Sequence, residues 1–274
     1  MRNLKKILFE LIMICLAIVW FLPVYYLAVT TLKTQQDATL HPLALPSHWE
    51  FGNYINAWVK MEFPRALFNT FIITVSSVCI LIFIGAFAGY ALARAKNKTA
   101  SFIFMLFLAG LIVPFHMNII SLYKIVKNMG LMNKLLGVIL VDVAINMPQT
   151  IFLFKEFIEN SVPWELEEAA IVDGCDVTRR VLLIVVPLLK PVVSTTVIIV
   201  TLNVWNEFMT PLLFLQSRAK GVILQEVSRN IGQFSTDWAT MFPMLMLGVL
   251  PLIIFYIFMQ KYIIAGVAAG GVKG

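Results

Sequence analysis

Charged residues in this 274-residue chain are spaced so that long apolar stretches lie between them. Residues 11–32, 66–93, 99–123 and 238–260 carry no charge; residues 135–154 carry only Asp142 and residues 191–217 only Glu207. An apolar run of roughly 18 residues or more can cross the hydrocarbon core as a helix. Only a helix or a closed barrel satisfies every backbone group in lipid. The pattern therefore predicts an all-α membrane protein with six transmembrane helices. Arg2, Lys5 and Lys6 before the first run would also suit a cleavable signal peptide. That run is too long for one and no small-residue cleavage site follows, so it is expected to remain as a span.

Composition agrees with this pattern. Hydrophobic residues make up 60% and charged residues 13%, against roughly 45–50% and about 25% in a soluble domain. Cys15, Cys79 and Cys175 are odd in number and scattered, giving neither a disulfide framework nor a zinc spacing. No metal or cofactor is expected. A net charge of +6 would interest a nucleic acid if it were gathered, but the basic residues lie in short groups between apolar runs. They read instead as topology signals: with six spans, 12 of the 21 basic residues fall on the side of the termini, among them Arg94, Lys96 and Lys98 in a tight loop. The positive-inside rule then places both termini in the cytoplasm of a multi-pass protein of the cell membrane. Residues 31–64 become an outside segment, with His41 and His48 as solvated loop residues and Trp49, Tyr54 and Trp58 suited to interfacial anchoring.

Seven of the fifteen acidic residues fall between the fourth and fifth spans: Glu156, Glu159, Glu165, Glu167, Glu168, Asp173 and Asp176. Pro163 suits the first turn of a helix whose positive dipole end faces Glu165, Glu167 and Glu168. Leu166, Ala169, Ala170 and Asp173 follow at helical spacing and form a face with little bulk, open to close approach by a partner. Gly174 ends that helix in a left-handed turn, and Asp176 caps a second helix running through Arg179 and Leu183 towards Pro187. Interfacial helices favour lysine and arginine, so this acidic one points to a protein partner.

Glu168-Ala169-Ala170, then Gly174, then Ile184, Val186 and Pro187 resemble the EAA loop of the membrane permeases of binding-protein-dependent ABC importers, with valine in place of a leucine. Asn69-Thr70, the stretch from Tyr90 to Arg94, and Trp205-Asn206-Glu207-Phe208 with Pro211-Leu212 resemble the carbohydrate-type permeases, and the glycine-rich ending resembles that of the maltose-type partner with six spans. The resemblance implies a five-helix type I importer core preceded by an N-terminal span. The corresponding domains are residues 1–65 (N-terminus, first span, outside segment), 66–264 (transmembrane domain, EAA loop at 156–187) and 265–274 (tail). It implies a second homologous permease, a cytoplasmic ABC ATPase dimer, an extracellular sugar-binding protein and a carbohydrate substrate, with coupling to the ATPase through Glu168, Ala169, Ala170, Asp173 and Gly174.

No G-x-x-x-x-G-K-S/T loop occurs, so the chain is not expected to hydrolyse nucleotide itself and is read as a pore subunit rather than an enzyme. Gly85 and Gly89 form a G-x-x-x-G spacing suited to close helix packing. Polar residues inside the spans are costly in lipid and should face protein or water. Glu207 with Asn203, Trp205 and Asn206, the stripe of Asp142, Asn146 and Gln149, and His116 with Asn118 are candidates for a sugar pathway or for bonds between helices. An alternative is a secondary transporter in which Asp142 and Glu207 carry ions or protons. A further one is a membrane scaffold whose acidic loop binds a partner without transport.

Overall fold

The computed structural model describes residues 2–231 and 237–271, the side chains of residues 2–4, 116 and 263–271 excepted. All regular structure among the described residues is helical. The first helices are α1 (Arg2–Thr30), α2 (Gln35–Leu40), α3 (Gly52–Lys60), α4 (Phe63–Arg94), α5 (Lys98–Ile112), α6 (Ile119–Asn128) and α7 (Leu135–Ser161). Then come α8 (Trp164–Val172), α9 (Val177–Arg180), a π-helical turn at Val181–Val185, α10 (Val186–Leu188), α11 (Lys190–Trp205), α12 (Met209–Phe214), α13 (Ile223–Arg229) and α14 (Trp238–Gly271).

The all-α membrane architecture holds, but the six apolar runs do not all become unbroken spans. Lys5–Thr30, Phe63–Arg94, Leu135–Ser161 and Trp238–Tyr262 are each long and apolar enough to cross a membrane. The fifth run is entered through a bend, where Val177–Leu188 and Lys190–Trp205 meet at 72°, with Pro191 in the first turn of α11. A second interruption separates α11 from α12. The third run is also broken. Helix α5 has 15 residues, about 22 Å at 1.5 Å per residue, short of the ~30 Å hydrocarbon core. It stops because Pro114 lacks an N–H and pushes the residue before it out of the helical region: Val113 is extended, at φ −78° and ψ 115°. A 3-10 turn at Phe115–Asn118 then leads into α6. Of the expected tail at 265–274, the backbone to Gly271 is described, and it continues α14.

The chain divides into two compact units, Met1–Leu67 with Ile223–Leu252, and Phe68–Val222 with Ile253–Gly274. In the first, α1 exposes a run of large apolar side chains from Ile7 to Val24. The expected outside segment is more ordered than a loop. Lys33 is fully buried there, and its Nζ donates to the carbonyls of His41 at 2.6 Å and Pro42 at 3.1 Å. Asn53 Nδ2 donates to Thr31 O and Lys33 O, and the Tyr54 hydroxyl to Thr31 Oγ1. Burial pushes the Lys33 ammonium below its ordinary pKa, partly offset by Asp37. The Ser47 backbone N–H holds the Asp37 carboxyl below its usual range, with help from the Ser47 hydroxyl, Lys33 and His41 and against burial.

In the second unit α5, α11 and α12 pack on α7. One apolar core gathers Ile73, Leu81, Val138, Val141 and Phe214; another gathers Tyr90, Phe154, Ile158, Val185 and Leu189. The close packing expected from Gly85 and Gly89 is present. A Cβ on Gly89 would lie 2.6 Å from Phe154 Cβ, and one on Gly85 2.8 Å from Phe154 Cδ2. Larger residues would drive α4 off α7.

Candidate coupling loop and polar interior

The acidic loop folds as helix, elbow and helix. Pro163 stands at the N-cap of α8, one position before the first turn expected for it. Gly174 has φ +77°. Its N–H donates to Ile171 O at 3.0 Å and that of Cys175 to Ala170 O at 2.9 Å, the paired closing bonds of a helix that ends on a left-handed residue. Asp176 Oδ1 accepts from Arg179 N at 2.7 Å and caps α9. Of the residues expected to face a partner, Glu168, Ala169, Asp173 and Gly174 are exposed, while Ala170 is buried inward. Glu168 accepts from Trp164 Nε1 at 2.7 Å.

The inward anchor is a residue the sequence reading left among the other acids. Glu167 is fully buried. The Tyr90 hydroxyl donates to its Oε2 at 2.7 Å, and Arg94 reaches its Oε1 through Nε at 2.8 Å and through the terminal nitrogen at 2.7 Å. Arg180 Nε lies 3.3 Å from Oε2 and donates to the Tyr90 hydroxyl at 3.1 Å. Arg94 also donates to Val162 O at 2.8 Å. One carboxylate thus ties the end of α4, the start of the loop, α8 and α9 together. A buried carboxylate with two arginines and a phenol has its lone pairs satisfied, and removing any one partner strands charge in the interior. The available signal was weak: Tyr90 and Arg94 lie four apart on α4 and so share one helical face.

The polar residues of the spans divide into inner and outer sets. Asp142 is 2% exposed, and its Oδ2 has no hydrogen-bond partner among the described residues. Asn146 is buried, donates to Asp142 O at 2.8 Å, and accepts from Asn203 Nδ2 at 2.9 Å. Two stripes considered separately in the sequence are therefore joined across α7 and α11. Glu207 caps a helix: its Oε1 accepts from the backbone N–H of Met209 at 2.7 Å and of Thr210 at 3.0 Å, covering the break before α12. Trp205 is buried, whereas Asn203, Asn206 and Asn118 are exposed. The His116 side chain lies outside the described residues. No cluster of three or more histidine, cysteine, aspartate or glutamate residues suited to a metal occurs among the described residues.

Long apolar helices, two of them broken, with a structured acidic loop and a polar interior define a membrane translocation subunit. The family model for the binding-protein-dependent transport system inner membrane component matches residues 63–268. The chain belongs to that family. It is 32% identical over 254 residues to the melibiose/raffinose/stachyose import permease protein of Bacillus subtilis, covering 93% of this chain and 92% of that one. With the multiple sugar-binding transport system permease protein of Streptococcus mutans it shares 32% identity, covering 92% and 91%. With the diacetylchitobiose uptake system permease protein of Streptomyces coelicolor it shares 28%, covering 94% and 86%. In fold it is similar to a chain of a bacterial ABC transporter involved in the import of the acidic polysaccharide alginate, with a TM-score of 0.84 at 20% identity over 95% of this chain and 96% of that one. Membership decides between the sequence readings: this is a membrane component of a binding-protein-dependent transporter rather than an ion-coupled carrier or an inert scaffold.

Proposed function

We propose that this chain is the translocation subunit of a carbohydrate-importing ABC transporter, working by alternating access in partnership with a second homologous permease, a cytoplasmic ATPase dimer and an extracellular sugar-binding protein. Support for the substrate class comes from relatives whose names specify melibiose, raffinose, stachyose and diacetylchitobiose. Both termini then lie in the cytoplasm.

One observation carries the coupling. Helix α8 turns one face inward, where Glu167 holds it, and leaves Leu166, Ile171 and Val172 bare on the other, Val172 at 87% exposure. Apolar side chains standing in water beside Glu165, Glu168 and Asp173 are what a protein cleft covers. Closure of the ATPase pair on ATP would move α8, and the Glu167 ties carry that motion to α4 and α9. Shifting a two-state equilibrium from 1:99 to 99:1 needs about 5.5 kcal/mol of differential binding, which ATP binding to the ATPase pair would supply. Sugar hydroxyls meet Asn203, Asn206 and Asn118 along the pathway. Asp142, Trp205 and Glu207 support it from behind, Glu207 by holding the α11–α12 break in place.

Changing Val172→Asp and Leu166→Asp should release the ATPase during purification in mild detergent while the chain still inserts. Gly174→Val should strain the left-handed elbow and give ATP hydrolysis without sugar uptake in reconstituted vesicles. Wild-type ATP-driven uptake in both variants would overturn the assignment of this loop.

A further inference from the structure

Two cavities flank the corner between α4 and α5, and the transport reading uses neither. One, of about 490 Å³, is lined by Arg94, Lys96, Phe104, Met105, Lys155 and the carboxylate of Glu159 among others. The other, of about 420 Å³, shares Lys96, Ser101 and Met105 with it and adds Asn97, Lys98 and Phe102. The cations differ in how far they are committed. Arg94 is held by Glu167 and Val162. Lys155 is paired with Glu156 at 3.2 Å and Glu159 at 2.7 Å, with its ammonium 4.4 Å from the centre of the Phe104 ring. Lys96 and Lys98 are exposed, and their side chains make no ion pair or hydrogen bond among the described residues.

Below these two lysines the surface changes character within one turn. Asn97, Lys98, Thr99 and Ser101 are polar, and from Phe102 onward α5 is apolar, with Phe102, Met105 and Leu106 all more than half exposed. A change from polar to apolar within one turn is what a helix entering hydrocarbon from water requires. Uncommitted cations above it and bare apolar side chains below match the two halves of one kind of molecule. Basic pockets beside transmembrane helices at such a boundary recruit anionic lipid headgroups.

We propose that the α4–α5 corner is a binding site for an anionic phospholipid, its phosphate between Lys96 and Lys98 and its acyl chains along Phe102 and Met105. The site abuts Arg94, so a bound headgroup places negative charge next to the guanidinium that holds Glu167. Lipid occupancy and the setting of the coupling loop share one wall.

The test uses the full-length chain, with whatever subunits co-purify, in nanodiscs of phosphatidylcholine carrying a minor share of phosphatidylglycerol, with retained phosphatidylglycerol counted by native mass spectrometry. No nucleotide or sugar is present, so failure of the transport reading would not affect the result. Each of Lys96→Gln and Lys98→Gln should lower retention about fivefold, and the pair roughly twenty-five-fold, given the worth of one lysine near an anionic surface. The pair Phe102→Ser and Met105→Ser, which leaves the charge intact, should also lower it. Lys124→Gln with Lys127→Gln, a basic pair on α6, should leave it unchanged. Wild-type retention in the double lysine variant overturns the proposal. So does displacement by millimolar inorganic phosphate together with no effect of the serine pair, which would make this a free-phosphate site.

Discussion

Among the described residues two carboxylates are fully buried against arginine, and they are held in different ways. Glu167 takes three partners from two separate helices: Tyr90 and Arg94 on α4 and Arg180 on α9, with the arginine side chains only 16% and 12% exposed. Glu226, on α13, is met by Arg229 one turn along the same helix at 2.7 Å and by Arg65 at 2.8 Å. Arg65 is shared with Glu62 at 2.6 Å, and the Arg229 side chain is 37% exposed. The first cluster fastens elements that are distant in sequence, and its carboxylate is closed off from water while its cations are nearly so. The second includes a tie within its own helix, to Arg229, and its Arg229 cation is already partly in solvent. Buried charge therefore does two jobs here: it joins moving parts at Glu167 and it steadies a short helix at Glu226.

Removing the carboxylates separates the two jobs most sharply. Glu167→Ala strands Arg94 and Arg180 and should cost about 3–5 kcal/mol, read as a large fall in the thermal midpoint of the purified complex. Glu226→Ala should cost about 1–3 kcal/mol, since Arg229 can rehydrate. The conservative Glu167→Gln should raise the ATP consumed per sugar moved, and Glu226→Gln should leave that ratio alone. Equal shifts in stability and in coupling for the two sites would erase the distinction. A smaller effect probes the contact behind the Glu167 cluster: Gly89→Ala brings a methyl against Phe154 and should destabilise by about 1–3 kcal/mol. Gly52→Ala, with nothing within 4 Å of the new atom, should be neutral or slightly stabilising. Tyr90→Phe deletes two hydrogen bonds, the one given to Glu167 and the one taken from Arg180, while keeping both ion pairs, and should cost about 1–3 kcal/mol.

The weakest effect concerns acid, in the ordered segment around Lys33. The folded Asp37 carboxyl titrates below its ordinary value, so its contribution is complete above about pH 3.9 and is lost as pH falls through the lower folded value. Lys33 acts at the other end. Its folded value is depressed, so stability rises with pH from that value up to about 10.4. Fluorescence of a variant retaining Trp49 and Trp58 should report the acid transition, and Asp37→Asn should abolish its Asp37 component.

Much of this was legible in the chain because it rests on local chemistry. An uncharged apolar run must be helical in lipid whatever surrounds it. A glycine after a helical face and an aspartate before the next are signals within a few residues, and Gly174 and Asp176 close and cap their helices as expected. Breaks were harder to read: Pro114 lies within one apolar run and Pro191 at the start of another, where a bend or a stop depends on whether neighbours satisfy the freed carbonyls. Glu167 was harder still. Beside Glu168, and equal to it in charge, it is distinguished only by Tyr90, Arg94 and Arg180 lying opposite, and no spacing within the loop encodes that. The same holds for Glu207, whose carboxylate binds amides two and three residues along, an arrangement that exists only once the helix has broken there.

The sequence alone was enough to establish a helical membrane protein with a structured acidic loop, since hydrophobic run length, dipole-compatible acids and a left-handed glycine act through the chain's own backbone. Tertiary structure decided which of two adjacent glutamates anchors that loop, where the spans bend, and which asparagines face outward. Those choices depend on Coulomb and hydrogen-bond partners dozens of residues away, whose positions are set by packing and not by order along the chain.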